Sequence, residues 1–296
     1  MKIGMTLPVT EPGWTRDILM QWAQKVDQGP YSCLALGERI FFPSPELMTT
    51  LGACAVLTER VKLVTTVIIL PMHNPVLTAK QLATVDVLSE GRLVVGVGTG
   101  GRDEDYLATG TDLSQKRISV MASHVDTMRK IWRGEQVVDD ALRLVEPLPV
   151  QKNGPPILAG VMGPKGLASA ANWADGISGM SVSAQAADAE QSMQLANTAW
   201  LQAGQKTTPQ FNSAFWFALG DNADQQMQTH LTRYFNWLDP GSRDAMAKHA
   251  GFRGSVKDLK DRLKAFADTG MDELVLIPTS IDPNEVDRAN EAIASL

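Results

Sequence analysis

The stretch VKLVTTVIILPMHNPVLTAKQLATVDVLSEGRLVVGVG, residues 61–98, decides the fold of this 296-residue chain. Residues 61–70 form a run of β-branched and aliphatic side chains, and residues 92–98 form a second apolar run. Between them, residues 76–91 are predicted to form a helix that ends at a glycine. Strands that are apolar throughout are typical of a parallel sheet covered by helices. The stretch therefore predicts two parallel strands joined by a helix.

The same alternation continues on both sides of this unit. Further strands are predicted at 2–7, 32–38, 155–160, 174–179, 211–219 and 271–278. Further helices are predicted at 15–28, 45–58, 116–133, 164–173, 183–203 and 255–269. Ser255 and Asp258 form a capping box, and a final helix begins with Asp282 as N-cap and Pro283 in the first position. Eight strands alternating with helices predict one α/β domain over residues 1–296, a (β/α)8 TIM barrel.

Three segments do not fit the regular alternation and are predicted to be insertions: 99–115, 134–154 and 221–250. The last of them has the character of inserted helices. Loops on a rigid scaffold carry much of the binding and catalysis in barrel enzymes, and some of them close over the ligand. We therefore expect these segments to face the substrate or to form a lid.

Composition and charge argue against several classes of function. The formal net charge of −6 disfavours a nucleic-acid binder. The apolar runs have strand length, which is too short to span a membrane, and the N-terminus lacks a signal-peptide profile. Cys33, Cys54 and the four histidines match no redox or metal-site spacing. We expect a cytoplasmic protein that acts on a small molecule without a metal.

Glycines cluster after the predicted fourth strand, in GVGTGG (96–101). Gly96, Gly98 and Gly101 satisfy the letters GxGxxG of a dinucleotide-binding site. Such a site also needs a second strand that ends in an acidic residue about 20 residues later. That region is predicted to be helical here, so a nicotinamide-dependent dehydrogenase is a lesser alternative. We interpret the glycines as a floor that lets a planar ring approach the backbone.

Two further strand ends carry polar or anion-binding groups. The segment AGVMGPKG (159–166) precedes a helix, where backbone N–H groups and Lys165 attract a phosphate; the alternative is a plain turn. Glu38 and Arg39 follow the second strand, where they form either a functional pair or an ordinary surface ion pair. In a TIM barrel these strand ends meet at one face, which carries the active site.

Residues 64–110 resemble the bacterial luciferase-like monooxygenase superfamily, and within it the branch of F420-dependent oxidoreductases. The resemblance rests on Leu70-Pro71, Asn74-Pro75 and the segments AKQLATVD (79–86) and SEGR (89–92). Residues 155–178 resemble the fifth strand–helix unit of that superfamily, and residues 254–276 resemble the last one. The resemblance implies a luciferase-like barrel that binds FMN or the deazaflavin coenzyme F420 at its mouth.

The resemblance also implies which residues bind the cofactor. The third strand would end in a bulge with a cis peptide bond between Thr66 and Val67, where Thr66, Val67 and Ile68 lie behind the ring. The ring and its side chain would be lined by Gly98, Thr99, Gly100 and Gly101. The phosphate would be held by Gly160, Val161, Met162 and Gly163. Glu38 would lie at the pyrimidine side of the ring or at the substrate.

Two departures from the family pattern shape the predicted function. Arg39 stands where many relatives have a histidine, and arginine cannot act as a base near neutral pH. Gly101 stands where the sugar-phosphate dehydrogenase branch has a glutamate, so the resemblance supports neither that reaction nor luciferase chemistry. We predict hydride transfer between F420 and a small organic substrate, with Glu38 and Arg39 as catalytic residues. The anionic tail of F420 would be met by Arg102, Lys165 and Arg253.

Two alternatives stay within the same family. In the first, the chain is an FMN-dependent monooxygenase that reacts with oxygen. In the second, it binds a flavin or deazaflavin without catalysis, which the absent histidine makes credible. The resemblance further implies a homodimer, with the second and third predicted helices as the candidate contacts.

Overall fold

Eight parallel strands close into a barrel in the computed structural model, which describes residues 1–294. The ring consists of β1 (Lys2–Thr6), β2 (Cys33–Leu36), β3 (Lys62–Thr65) continued by β4 (Ile68–Ile69), β5 (Leu93–Gly98), β6 (Ile157–Gly160), β7 (Gly176–Ser178), β8 (Gln210–Leu219) and β10 (Glu273–Pro278). A short strand β9 (Phe252–Gly254) pairs only with the end of β8. The ring closes because β10 pairs with both β1 and β8. The predicted TIM barrel is confirmed.

Eight helices follow the strands of the ring and cover its outer face. They are α1 (Arg16–Gln28), α2 (Leu47–Leu57), α3 (Pro75–Leu88), α5 (Arg117–Trp132), α6 (Pro164–Ala170), α7 (Ala186–Gln202), α10 (Val256–Ala267) and α11 (Asn284–Ile293). Three more helices lie in the predicted insertions: α4 (Asp103–Ala108), α8 (Ala223–Tyr234) and α9 (Pro240–His249). No helix among residues 1–294 has the length and apolar character that crossing a bilayer requires.

Side-chain caps fix several helix starts. The Asn74 side chain accepts hydrogen bonds from the backbone N–H groups of the next turn, with proline in the first position of α3. The predicted capping box of Ser255 and Asp258 is present at α10. The last helix begins one residue later than predicted, with Pro283 as its N-cap. Asp282 instead accepts a hydrogen bond from the backbone N–H of residue 284, as in a turn.

The third strand is interrupted, as the family resemblance implied. The peptide bond between Thr66 and Val67 is cis, and the strand resumes as β4. A Cβ on Gly98 would lie 2.6 Å from Val67 Cγ2, and one on Gly160 would lie 2.9 Å from Val67 Cγ1. On Gly96 it would lie 2.1 Å from the Thr65 carbonyl oxygen. Glycines on the neighbouring strands are therefore required to make room for the bulge.

The barrel interior is filled by small side chains. Strand residues alternate between the large core under the helices and a separate inner cluster of Cys33, Ala35, Val64, Val94, Leu158, Ala214 and Val275. Both cysteines are buried and free. Because Val64, Ala214 and Val275 also line the cavity described below, the inner cluster forms the floor of the site.

Candidate active site

A cavity of about 920 Å³ opens at the carboxyl ends of the barrel strands. The volume suits a tricyclic cofactor together with a small second molecule, since ligand pockets commonly measure about 300–1,000 Å³. The walls come from the ends of β3 to β8 and β10, from the loop after β2, and from the insertions that hold α4, α8 and α9. Outside the predicted positions, the lining includes Ile69, Asp105, Met180, Ser213, Trp216, Tyr234, Phe235, Trp237 and Met246.

The structure brings most of the predicted site residues together. Of the eleven predicted cofactor contacts, all except Ile68 line the cavity: Thr66, Val67, Gly98, Thr99, Gly100, Gly101, Gly160, Val161, Met162 and Gly163. Arg39 lines it as well. These contacts come from segments 66–67, 98–101 and 160–163, which are distant in the chain, and the parallel strand order places their ends side by side.

Ile68 faces away from the cavity, which corrects the predicted ring contact. Its side chain is completely buried in the core beneath the helices, and Ile69 lines the cavity instead. Successive side chains of a strand point to opposite faces, so Val67 and Ile69 share the cavity side while Ile68 points outward. The pair that faces the cavity is therefore Val67 and Ile69.

Glu38 is also not part of the cavity lining, contrary to its predicted place beside the ring or the substrate. Its buried carboxylate accepts a hydrogen bond of 2.6 Å from the Ile69 backbone N–H and contacts His73 Nε2 at 2.8 Å. Burial disfavours the charged form of His73, but the hydrogen bond and charge of Glu38, with the charge of Glu46, outweigh burial and raise the pKa of His73. Glu38 thus holds β4 and the following turn in place.

Arg39, Arg102 and Tyr234 form one wall of the cavity, which we call the arginine wall. Arg39 donates hydrogen bonds to the Tyr234 hydroxyl and to the Glu38 carbonyl. Arg102 is 8% exposed and donates to the Tyr234 carbonyl at 3.0 Å. Its guanidinium carbon lies 5.2 Å from the Tyr234 ring centre and 5.4 Å from that of Trp237. Burial, together with the charge of Arg39, lowers the pKa of Arg102.

Several cavity residues carry buried polar atoms without a hydrogen-bond partner among residues 1–294. They are Arg39 Nε, Asp105 Oδ2 and Ser213 Oγ. The other oxygen of Asp105 accepts hydrogen bonds from the backbone N–H groups of Ile40 and Phe41, at 3.2 and 3.0 Å. Buried polar atoms normally have partners, and unpartnered ones concentrate where a ligand completes the bonding. These three atoms lie on residues of the cavity lining, where a bound molecule would complete their hydrogen bonding.

The three basic residues predicted at the mouth differ in their exposure and in whether they line the cavity. Lys165 is exposed and lines the cavity. Arg102 lines it too, but from a buried position in the arginine wall. Arg253 does not line the cavity, because its guanidinium donates to the carbonyls of Ala247 and Ala250 and pairs with Asp224 at 3.5 Å. Its predicted contact with a cofactor tail is therefore wrong.

Sequence reasoning missed the aromatic side of the cavity. Trp216 on β8 packs edge-on against Tyr234 and Phe235 of the α8 region, with ring centres 5.1 and 5.7 Å apart. Trp237 lies one turn further along and also lines the cavity. The signal was the segment YFNW (234–237), an aromatic cluster inside an otherwise polar insertion. These contacts place the 221–250 insertion at the cavity, and its role toward a substrate stays a prediction.

A sequence model described as luciferase-like monooxygenase matches residues 1–286. The chain belongs to the luciferase-like monooxygenase family. This confirms the resemblance predicted from residues 64–110. The uncharacterized protein Rv0953c of Mycobacterium tuberculosis is 29% identical to this chain over 168 residues, which cover 54% of this chain and 58% of that relative. The match thus spans little more than half the length of either protein.

Two solved structures superpose on nearly the whole chain. An F420-dependent secondary alcohol dehydrogenase in complex with an F420–acetone adduct superposes with a TM-score of 0.81 at 19% identity, over 99% of this chain and 98% of that one. The oxygenating constituent of 3,6-diketocamphane monooxygenase of Pseudomonas putida, in complex with FMN, gives 0.71 at 14% identity, over 99% and 96%. At these identities the two likenesses show the shared fold alone.

Proposed function

We propose that this luciferase-like protein is an oxidoreductase that uses coenzyme F420 for hydride transfer to or from a small organic substrate. The observation that carries the proposal is the cavity at the bulged third strand, where Val67, Ile69 and two glycine segments give a flat, apolar wall. When bound, F420 supplies a two-electron hydride donor or acceptor, and the protein supplies binding, orientation and exclusion of water. F420-dependent and FMN-dependent structures share this fold, so the choice of cofactor depends on the cavity itself.

The charges of the cavity favour anionic ligands, and the exposed Lys165 among them favours a cofactor with an anionic tail. Its lining includes three cationic side chains, Arg39, Arg102 and Lys165, against one carboxylate, Asp105. Lys165 is exposed next to the Gly160–Gly163 segment, so it can meet a phosphate or an anionic tail that leaves the cavity toward solvent. An overall negative protein needs such local groups to hold an anion.

The remaining wall residues have distinct roles in this proposal. Gly160, Val161, Met162 and Gly163 would hold the phosphate, and Gly98, Thr99, Gly100 and Gly101 would border the ring. Arg39 would orient the substrate and stabilise negative charge that develops on its oxygen. Tyr234, Phe235 and Trp237 would cover the reacting atoms and exclude water. Glu38 acts through Ile69 and His73, so we assign it a positioning role in place of the predicted catalytic one.

An FMN-dependent monooxygenase is the second candidate. It is favoured by the fold shared with the FMN complex of 3,6-diketocamphane monooxygenase, and by the Gly160–Gly163 segment, which alone suffices for a single phosphate. Binding without turnover is the third, because Arg39 cannot replace a histidine base. Turnover of the bound reduced cofactor with enones, imines and aldehydes separates catalysis from mere binding.

Fluorescence titration with F420 and with FMN tests the choice of cofactor. We expect F420 fluorescence to be quenched on binding, and FMN to bind at least about tenfold more weakly, a difference of about 1.4 kcal/mol. Gly163→Asp places a carboxylate where the phosphate is expected and should weaken binding about tenfold or more. Gly163→Ala is the matched control, because no atom lies within 4 Å of a Cβ there.

Two results would contradict the proposal. Tight FMN binding without F420 binding would replace the F420-dependent function with the second candidate. Equal cofactor affinity in Gly163→Asp and Gly163→Ala would remove residues 160–163 from the phosphate site.

A further inference from the structure

Two positive charges lie close together on the arginine wall without an ion-pair partner. The described residues 1–294 offer no acidic oxygen within ion-pair distance of Arg39 or Arg102. Other arginines among these residues form ion pairs with carboxylates at 2.6–3.5 Å. Asp105 favours the charged form of Arg102 only from a distance. Buried charges are costly unless they are paired. The arginine wall therefore calls for a negative partner that the described part of the chain does not supply.

Hydrogen bonding leaves donors free on the same wall. A guanidinium has five N–H donors, and the protein groups described around Arg102 accept from only one of its nitrogens, Nη2. Arg39 donates from both terminal nitrogens to Tyr234 and Glu38, while its Nε has no partner. A carboxylate is the group that matches such forked donors in shape and charge.

The side chains around these donors indicate the chemical character of the rest of the ligand. The Arg102 guanidinium lies 5.9 Å from the ring centre of Phe42, in addition to its contacts with Tyr234 and Trp237. Apolar and aromatic side chains continue from there along the cavity: Met180, Trp216, Phe235 and Met246. A flat apolar body attached to the anionic group would lie against these side chains.

We propose that the substrate is a carboxylic acid with a flat, unsaturated body, and that Arg39 and Arg102 bind its carboxylate. This inference rests on the proposed function, in which the same cavity also holds the cofactor. The cofactor tail is the other possible source of an anion. Arg102 is enclosed, whereas Lys165 beside the phosphate segment is exposed, and a long tail needs the exposed group.

The test compares one acid with its neutral counterpart. Cinnamate and cinnamamide have the same flat body and differ in charge, and Trp216 and Trp237 in the cavity wall report binding by their fluorescence. We expect the cofactor-free wild type to bind cinnamate about 10- to 100-fold more tightly than cinnamamide, as for a hydrogen-bonded charged group. Equal affinities for the two probes would overturn the proposal, whether or not any variant folds.

Variants identify the residues responsible. Arg102→Gln should reduce the preference for cinnamate to about twofold or less, and Arg102→Lys should restore part of it. Arg143→Gln, at an exposed position outside the cavity, is the control and should keep the wild-type preference. A preference that survives in folded Arg102→Gln, verified by thermal unfolding, would overturn the proposal.

The cofactor provides the last comparison. We expect Arg102→Gln to bind F420 and FMN with wild-type affinity. Loss of cofactor affinity with unchanged cinnamate binding would assign the arginine wall to the tail and overturn the inference. Failure of wild-type protein to bind either cofactor would contradict the proposed function, while the acid preference of the cofactor-free protein would still decide the inference.

Discussion

At the scale of single residues, the glycines around the bulge fall into two kinds. Some are needed for packing against the bulge, and others leave open space in the cavity. Gly98 and Gly101 lie three residues apart in the same segment, and both line the cavity. A Cβ on Gly98 would be 2.6 Å from Val67 Cγ2, whereas no atom lies within 4 Å of one on Gly101. The first glycine is therefore required by the protein itself, and the second leaves space in the cavity.

Gly98→Ala should lower the free energy of unfolding by about 1–3 kcal/mol, as overpacking of a core does. Gly101→Ala should change it by less than about 0.5 kcal/mol. Urea denaturation followed by circular dichroism measures both. Adding Val67→Ala to Gly98→Ala removes the contacting methyl groups and should recover part of the loss. Equal stability of the two glycine variants would show that the bulge adapts to a side chain.

The residue scale also shows the limits of sequence reasoning about the site. Matching of motifs placed Val67 and the glycine segments at the cavity, because these positions are fixed by the ends of parallel strands. It misplaced Ile68 and Glu38, because the direction of a side chain after an interrupted strand depends on local geometry that spacing does not encode. Glu38 follows a strand end, yet its carboxylate turns to the Ile69 N–H instead of the cavity.

At the scale of elements, the turn after β4 depends on one buried pair. Glu38 joins the Ile69 backbone to His73, and His124 on α5 contacts the Leu70 carbonyl from the other side at 3.2 Å. Sequence patterns located the strand and the helix that flank this turn to within three residues. They could not locate the pair itself, since its members lie 35 residues apart and meet only in the closed barrel.

The Glu38–His73 pair should make stability depend on pH. The folded pKa of His73 is raised above the ordinary 6.5, so its stabilisation is complete below that value and is lost as pH rises through the folded pKa. His73→Asn should therefore lower the Tm by more at about pH 6 than at about pH 9, with a difference on the order of 2 °C. Differential scanning calorimetry provides the measurement.

A second variant isolates the pair from other effects of the substitution. In a Glu38→Gln background, His73→Asn should give a Tm difference that no longer varies with pH. A pH-dependent difference that persists without the carboxylate would assign the effect to another partner of His73.

At the scale of the whole molecule, α2 and α3 form the surface that the family resemblance assigns to a homodimer. Val56 is 67% exposed and Leu77 is 56% exposed, and Val87 and Leu88 on α3 are exposed as well. Exposed apolar patches of this kind often mark contacts between protein molecules. The barrel needs none of these side chains for its own core.

Light scattering should give a mass of twice the 32.1 kDa chain for the wild type. The double variant Val56→Glu, Leu77→Glu should give the mass of one chain, because burying two carboxylates in an apolar interface is costly. Leu201→Glu, at a 76% exposed position of α7, is the control and should keep the wild-type mass. A wild-type mass of one chain would end the dimer prediction.

The aromatic side of the cavity has a consequence for how this protein can change. Tyr234, Phe235 and Trp237 come from the 221–250 insertion, which is not part of the closed ring of strands. Exchange of that segment would thus alter which molecules the cavity accepts, while the ends of the barrel strands that form the rest of its wall stay in place. A replacement segment would have to keep the buried contacts of Met227 and Leu231, because they belong to one hydrophobic cluster with Trp216 of β8.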